Sequence, residues 1–105
     1  MIHVIAIITA VAGQRARILE AVRDNTAAVR AEEGCIEYGA AVDAADPVPA
    51  WASFGPDTLV IVEKWESRAA LKAHAVSPHM VAYGARVKDL VASRAIHVLE
   101  PAGLV

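Results

Sequence analysis

Residues 2–9 (Ile-His-Val-Ile-Ala-Ile-Ile-Thr) carry apolar side chains on both faces of an extended chain. Ile2, Val4, Ala6 and Ile8 share one side, and Ile5 and Ile7 the other. Short, β-branched and apolar on both sides, this segment reads as a strand buried twice over. After Gly13 the period changes. From Gln14 to Glu32, Ile18, Leu19, Val22, Thr26 and Val29 fall at helical spacing, with Arg17, Arg23, Asp24 and Arg30 largely opposite. The pattern predicts an amphipathic helix, with Gly34 as its C-terminal cap.

Alternation returns over Cys35–Asp43, which predicts a second strand with Ile36, Tyr38, Ala40 and Val42 on one face and Cys35, Glu37, Gly39 and Ala41 on the other. The segment Ala44–Asp57 holds Pro47, Pro49, Gly55 and Pro56, which excludes a regular element and makes a long connection. It also carries Trp51 and Phe54, a composition suited to capping a pocket or crossing to a partner subunit. Thr58–Trp65 predicts a third strand. Ser67 is a good N-cap for a helix over Arg68–Ala75, and Ser77-Pro78 repeats the start signal. Met80, Tyr83, Gly84, Val87 and Leu90 then recur with helical period, and Ser93–Leu99 predicts a final strand ended by Pro101.

The order β-α-β-β-α-β, with the second helix broken near Pro78, predicts an α+β domain over residues 1–105. Its fold is ferredoxin-like: a four-stranded antiparallel sheet with both helices on one face. The other face is left uncovered, yet the first and third strands are apolar on both sides. Pairing two sheets in a homodimer through that face resolves the conflict.

Composition narrows the function classes. The chain has 105 residues, with 10 Lys+Arg against 12 Asp+Glu and a net charge of -2 without a basic run, so the footprint of a nucleic-acid binder is missing. No stretch approaches the roughly 18–20 apolar residues of a membrane span, and no secretion signal is read at the N-terminus. Apolar residues make up 56%, but 23 residues are alanine. A core this thin in bulky side chains again favours oligomerisation. Cys35 is the single cysteine, which fits a reducing, cytoplasmic setting and, without a basic neighbour, inert packing.

The chemistry-bearing stretch is Val62-Glu63-Lys64-Trp65-Glu66-Ser67, followed by Leu71, His74, Ser77-Pro78-His79 and Tyr83, with Glu32-Glu33-Gly34-Cys35-Ile36-Glu37-Tyr38 upstream. These motifs resemble the antibiotic biosynthesis monooxygenase superfamily. Its members end the third strand in Glu-x-Trp, follow it with Leu-x-x-His and Ser-x-His, and enter the second strand through Glu-x-Gly. The resemblance runs over essentially the whole chain. It implies a dimeric α/β barrel with a pocket between sheet and helices. It also implies a cofactor-independent monooxygenase that oxidises a quinol, anthrone or related polycyclic phenol with O2, using neither metal nor flavin. An electron-rich phenolate reduces O2 itself, so the protein has only to bind, deprotonate and desolvate it.

Within that reading His74 is the candidate base, since Leu71 and Ala75 turn inward beside it and the ordinary pKa of histidine suits the task. The competing reading is a helix-end histidine that satisfies carbonyls. Glu63 shares a strand face with Leu59, Ile61 and Trp65 and needs a partner. It either orients His74 as part of the catalytic pair or meets a cation of the partner subunit. Trp65, Tyr38, His79 and Tyr83 are the candidate substrate-binding residues; each has a plain core or surface alternative, and His79 and Tyr83 share a helix face. His3 and His97 match no motif and read as structural. A metal held by Glu63, His74 and His79 lacks the tight spacing of metal motifs, so no metal is expected. For haem degradation within the same superfamily the resemblance would require an asparagine on the first strand, a tryptophan early in the second helical region and a histidine further along it; the single asparagine, Asn25, falls on the first helix, and the other two positions hold His74 and Gly84 or its neighbour, so that activity is not expected. A non-catalytic dimeric binding protein of the same fold is the alternative function.

Overall fold

The computed structural model describes residues 1–46 and 48–103; Pro47 of the predicted long connection lies outside them. The elements are β1 (Ile2–Ala10), α1 (Arg15–Arg30), β2 (Cys35–Ala41), β3 (Thr58–Trp65), α2 (Arg68–Ala75), α3 (Pro78–Val87) and β4 (Val91–Leu99). The strands form one antiparallel sheet in the order β2-β3-β1-β4. The architecture is therefore ferredoxin-like α+β, with the second helical region divided into α2 and α3.

The period of two along β1 decides which layer each side chain joins. Ile2, Val4, Ala6, Ile8 and Ala10 are buried under the helices, while His3, Ile5, Ile7 and Thr9 are half-buried on the opposite face. On β3, Leu59, Ile61, Glu63 and Trp65 point the same way as Val4 and Ala6. The stripe Ile18, Ala21, Val22 and Val29 of α1 closes over them. Full burial of such Val and Ile side chains is worth about 1.5–3 kcal/mol each, and the Ala and Arg residues that fill much of the rest of α1 are good helix formers.

Two local expectations are corrected. α1 ends at Arg30, where the N–H of Ala31 bonds to Ala27 and that of Glu32 to Val29, so Gly34 is not its cap. Gly34 instead takes φ +83° in the turn into β2, and a Cβ there would stand 2.6 Å from that of Ala70. Its carbonyl accepts the N–H of Glu66 at 2.8 Å, so the α1–β2 turn lies directly on the start of α2. The second correction is the face assignment on β2. The register slips between Cys35 and Glu37: Cys35 opposes Trp65, and Tyr38 opposes Glu63. This bulge turns Ile36 to solvent and leaves Cys35 and Tyr38 on the helix side.

Ser67 caps α2 as expected, its side chain accepting the N–H of Ala70 at 3.1 Å. The described part of the 44–57 connection forms no helix or strand, and Asp43 pins its far end by accepting the N–H groups of Phe54 (3.0 Å) and Gly55 (2.8 Å). Those two bonds hold the Asp43 carboxyl below the usual range. Trp51, 75% exposed, and Phe54 are open to solvent, and neither lines the cleft between sheet and helices.

Candidate active site

A cleft of about 830 Å³ opens between the helix face of the sheet and α2–α3. Its floor comes from Val4, Ala6 and Ile8 of β1 and Ile61 of β3, and its roof from Leu71, Ala75, Met80 and Tyr83. Volume and lining are those of a small-molecule site. Three polar groups converge at one end: His74, Glu63 and Tyr38.

His74 is the centre of this group and is 4% exposed. Its Nδ1 lies 2.7 Å from Oε2 of Glu32. A carboxylate only accepts, so Nδ1 carries a proton, which makes Nε2 the nitrogen through which a neutral ring would take up another. Nε2 is 3.8 Å from Oε1 of Glu63, beyond hydrogen-bond reach. The ring is fixed by the indole of Trp65, with centroids 4.6 Å apart, and by the edge of Tyr38 at 5.8 Å. Below it, Ser77 Oγ donates to the His74 carbonyl at 2.8 Å, which replaces a bond lost at the end of α2.

Glu32 also accepts from Nε2 of His79 at 2.9 Å, and that nitrogen lies 3.2 Å from Ser77 Oγ. One half-buried carboxylate in the α1–β2 turn thus ties α2 to α3. The donor atoms of Glu32, His74 and His79 lie within 4.8 Å of one another, a set able to hold a divalent cation. It differs from the set weighed on sequence in having Glu32 where Glu63 was named. Both imidazoles already satisfy Glu32 by hydrogen bonds.

Glu63 has a different partner. Its Oε1 accepts the indole N–H of Trp65 at 2.8 Å, while burial pushes its pKa up, a shift the Trp65 bond and His74 only partly oppose. Burial, reinforced by the Glu63 charge, likewise raises the Tyr38 phenol well above its usual range, so Tyr38 is a neutral hydroxyl at the cleft. Burial raises Tyr83 as well, and burial with the nearby Glu32 and Glu63 charges raises the Cys35 thiol.

Of the residues singled out on sequence, His74, Glu63, Tyr38 and Tyr83 line one cleft. Trp65 is fully buried behind them as a support for His74 and Glu63, without reaching the cleft. His79 faces Glu32 and a smaller hollow between α1 and α3. Glu32 is the residue that sequence reasoning missed. It was visible within the Glu-Glu-Gly motif, but nothing in its spacing ties it to histidines 42 and 47 positions away. Asn25 sits on α1 with its amide donating to Met80 Sδ, not on β1.

A sheet covered by helices on one face, with a carboxylate-oriented histidine at the end of an apolar cleft, defines a small ferredoxin-like protein built around a ligand site. The chain belongs to the antibiotic biosynthesis monooxygenase family, whose profile matches residues 1–86. It is 43% identical to a curated Escherichia coli protein named "Probable quinol monooxygenase YgiN", over 96% of this chain and 98% of that one. Among solved structures it resembles Rv0793 from Mycobacterium tuberculosis (TM-score 0.78, 30% identity, 95% and 93% of the two chains). It also resembles PA3566 from Pseudomonas aeruginosa (TM-score 0.79, 25% identity, 97% and 94%). No described helix is long and apolar enough to cross a membrane.

Proposed function

We propose that this protein is a monooxygenase that oxidises quinols or related electron-rich phenols with O2, and that His74 is its base. The observation that carries the reading is the state of His74: buried, with Nδ1 donating to Glu32 and Nε2 unpaired at an apolar cleft. A phenol entering the cleft gives its proton to Nε2, and the resulting imidazolium is stabilised by the Glu32 carboxylate. The phenolate, stripped of water by Leu71, Met80 and Ile61, then passes one electron to O2. The two radicals join at ring carbon, and cleavage of the O–O bond leaves one oxygen on the ring and releases the other as water. A quinol plus O2 thus gives a hydroxyquinone plus water. The substrate supplies all four electrons that O2 takes up, so the reading requires no metal or organic cofactor. Tyr38, kept neutral, donates a hydrogen bond to the developing oxyanion, and Glu63, through Trp65, holds the wall on which the imidazole stacks. The name of the Escherichia coli relative supports the substrate class.

We further propose that the working unit is a homodimer joined through the open face of the sheet. Ile5, Ile7, Val60 and Val62 form a half-buried apolar patch that no described element of the chain covers. His3, His97 and Lys64 lie toward one end of it, an apolar centre with a polar rim.

The test is oxygen uptake with hydroquinones, naphthohydroquinones and anthrones, using chelator-treated protein beside His74→Ala. Uptake above the spontaneous rate is expected, undiminished by chelation and about 10²–10⁴-fold lower in the variant. Uptake no faster than autoxidation across the panel overturns the oxygenase reading and leaves a binding protein. Activity restored only by an added metal overturns the cofactor-free part.

A further inference from the structure

The cleft is electrically lopsided. Among the described residues its single acidic lining residue, Glu63, stands at the His74 end, and the far end is lined by Lys88, Ser93 and Arg94. Register shows the separation: Glu63 opposes Val4 on β1, whereas Arg94 opposes Ile8. Four residues along the strands amount to about 13 Å, and two strand spacings across add about 10 Å. The backbones of Glu63 and Arg94 are thus roughly 16 Å apart by the same spacings. Arg94 shares the face of Ile96 and Val98 that looks toward the helices, and Lys88 closes the C-terminal end of α3.

Neither cation has a carboxylate within 4 Å among the described residues, and of the seven Lys and Arg residues without such a partner these two line the cleft. Both side chains are exposed, so they stand at the rim of the cleft, and the Arg94 charge is felt at Tyr83, where it opposes the upward push that burial gives the phenol. Two unpaired cations beside an apolar wall, with no acid between them and the imidazole, form a receptor for negative charge.

We propose that the ligand of this cleft carries an anionic substituent, a carboxylate, sulfonate or phosphate, on the ring remote from its reacting hydroxyl, and that Arg94 and Lys88 receive it. The inference rests on the reading of the His74 end as the reacting end. It narrows the substrate class from quinols in general to acid-bearing bicyclic or tricyclic phenols. The placement is also directional. An acid group next to the reacting hydroxyl would sit against Glu63, whose charge repels it.

The experiment is direct binding, by calorimetry, of 1-naphthol, its 6-sulfonate and its 2-sulfonate. The 6-sulfonate is expected to bind about 10–100-fold more tightly than 1-naphthol, as one or two charge-assisted contacts allow, and the 2-sulfonate no more tightly. In the R94Q/K88Q double variant the ratio of 6-sulfonate to 1-naphthol affinity is expected to fall to about one, with circular dichroism and thermal melting of the variant checking its fold. Equal binding of 1-naphthol and the 6-sulfonate, an advantage that survives the double variant, equal gains for both sulfonates, or no binding by any of the three overturns the proposal. None of these ligands needs to turn over. Failure of the oxygenase reading is therefore seen only in oxygen uptake, and failure of this one only in binding.

Discussion

At Glu63 two requirements meet in one side chain: acceptance of the Trp65 N–H, and ionisation in a place that burial makes hostile to charge. The sign of the effect on stability follows from linkage. A carboxyl whose folded pKa lies above its unfolded value holds more protons when folded, so stability falls as pH rises from the ordinary value of about 4.5 through the raised one. Glu63→Gln keeps an acceptor for Trp65 and removes the charge. Its melting temperature is expected to exceed that of the parent by a few degrees at pH 8, and the gap should close near pH 4, as read by calorimetry across that range. Glu32→Gln acts differently. It weakens the charge-assisted hold on His74, so kcat in oxygen uptake is expected to fall about tenfold or more with little change in KM. The sequence showed His74 and Glu63 as chemistry-bearing because their residue types and the Glu-x-Trp and Leu-x-x-His spacings are local. Glu32 was legible only as a motif letter, since its partnership is made by tertiary folding.

At the level of elements, the packing of the α1–β2 turn on α2 positions that carboxylate. Gly34 combines a positive φ with the near-contact to Ala70, so Gly34→Ala brings both strain and overlap. A loss of about 2–4 kcal/mol is expected in urea unfolding, and Ala70→Gly in the same chain should restore part of it by opening space. Ser67→Ala removes the one side-chain cap of α2 and should cost about 1 kcal/mol. These elements were largely readable in advance. Thr58–Trp65 and Arg68–Ala75 appear with the expected bounds because β-branched alternation and a Ser cap are strong local signals. The faces of β2 were not readable: a bulge adds a residue without changing the pattern, and it takes Ile36 out of the row expected with Tyr38. The end of α1 was overextended because Gly34 signals a left-handed residue wherever one is needed, and here a turn needs it three residues beyond the helix C-cap.

For the molecule as a whole, the order of elements determined the topology, and the two-sided apolarity of β1 and β3 pointed to a covered second face. Val62→Glu would place a carboxylate in the middle of that face, opposite Ile5. Sedimentation velocity is expected to show a dimer for the parent chain and a monomer for the variant; a monomeric parent overturns the assembly. The cleft's charge asymmetry escaped sequence reading because Arg94 and Glu63 lie on strands that are not neighbours.

Glu32 has one further consequence, in the order of folding events. Its carboxylate is held by His74 and His79, 42 and 47 residues further along the chain, and both bonds require α2 and α3 to have docked beside the α1–β2 turn. Contacts that long and that polar form after the apolar nucleus, on the native side of the folding barrier. His79→Ala should therefore speed unfolding in stopped-flow measurements and leave the refolding rate nearly unchanged. The chain would then reach its compact shape with the histidines still solvated, and the site would assemble as the last act of folding.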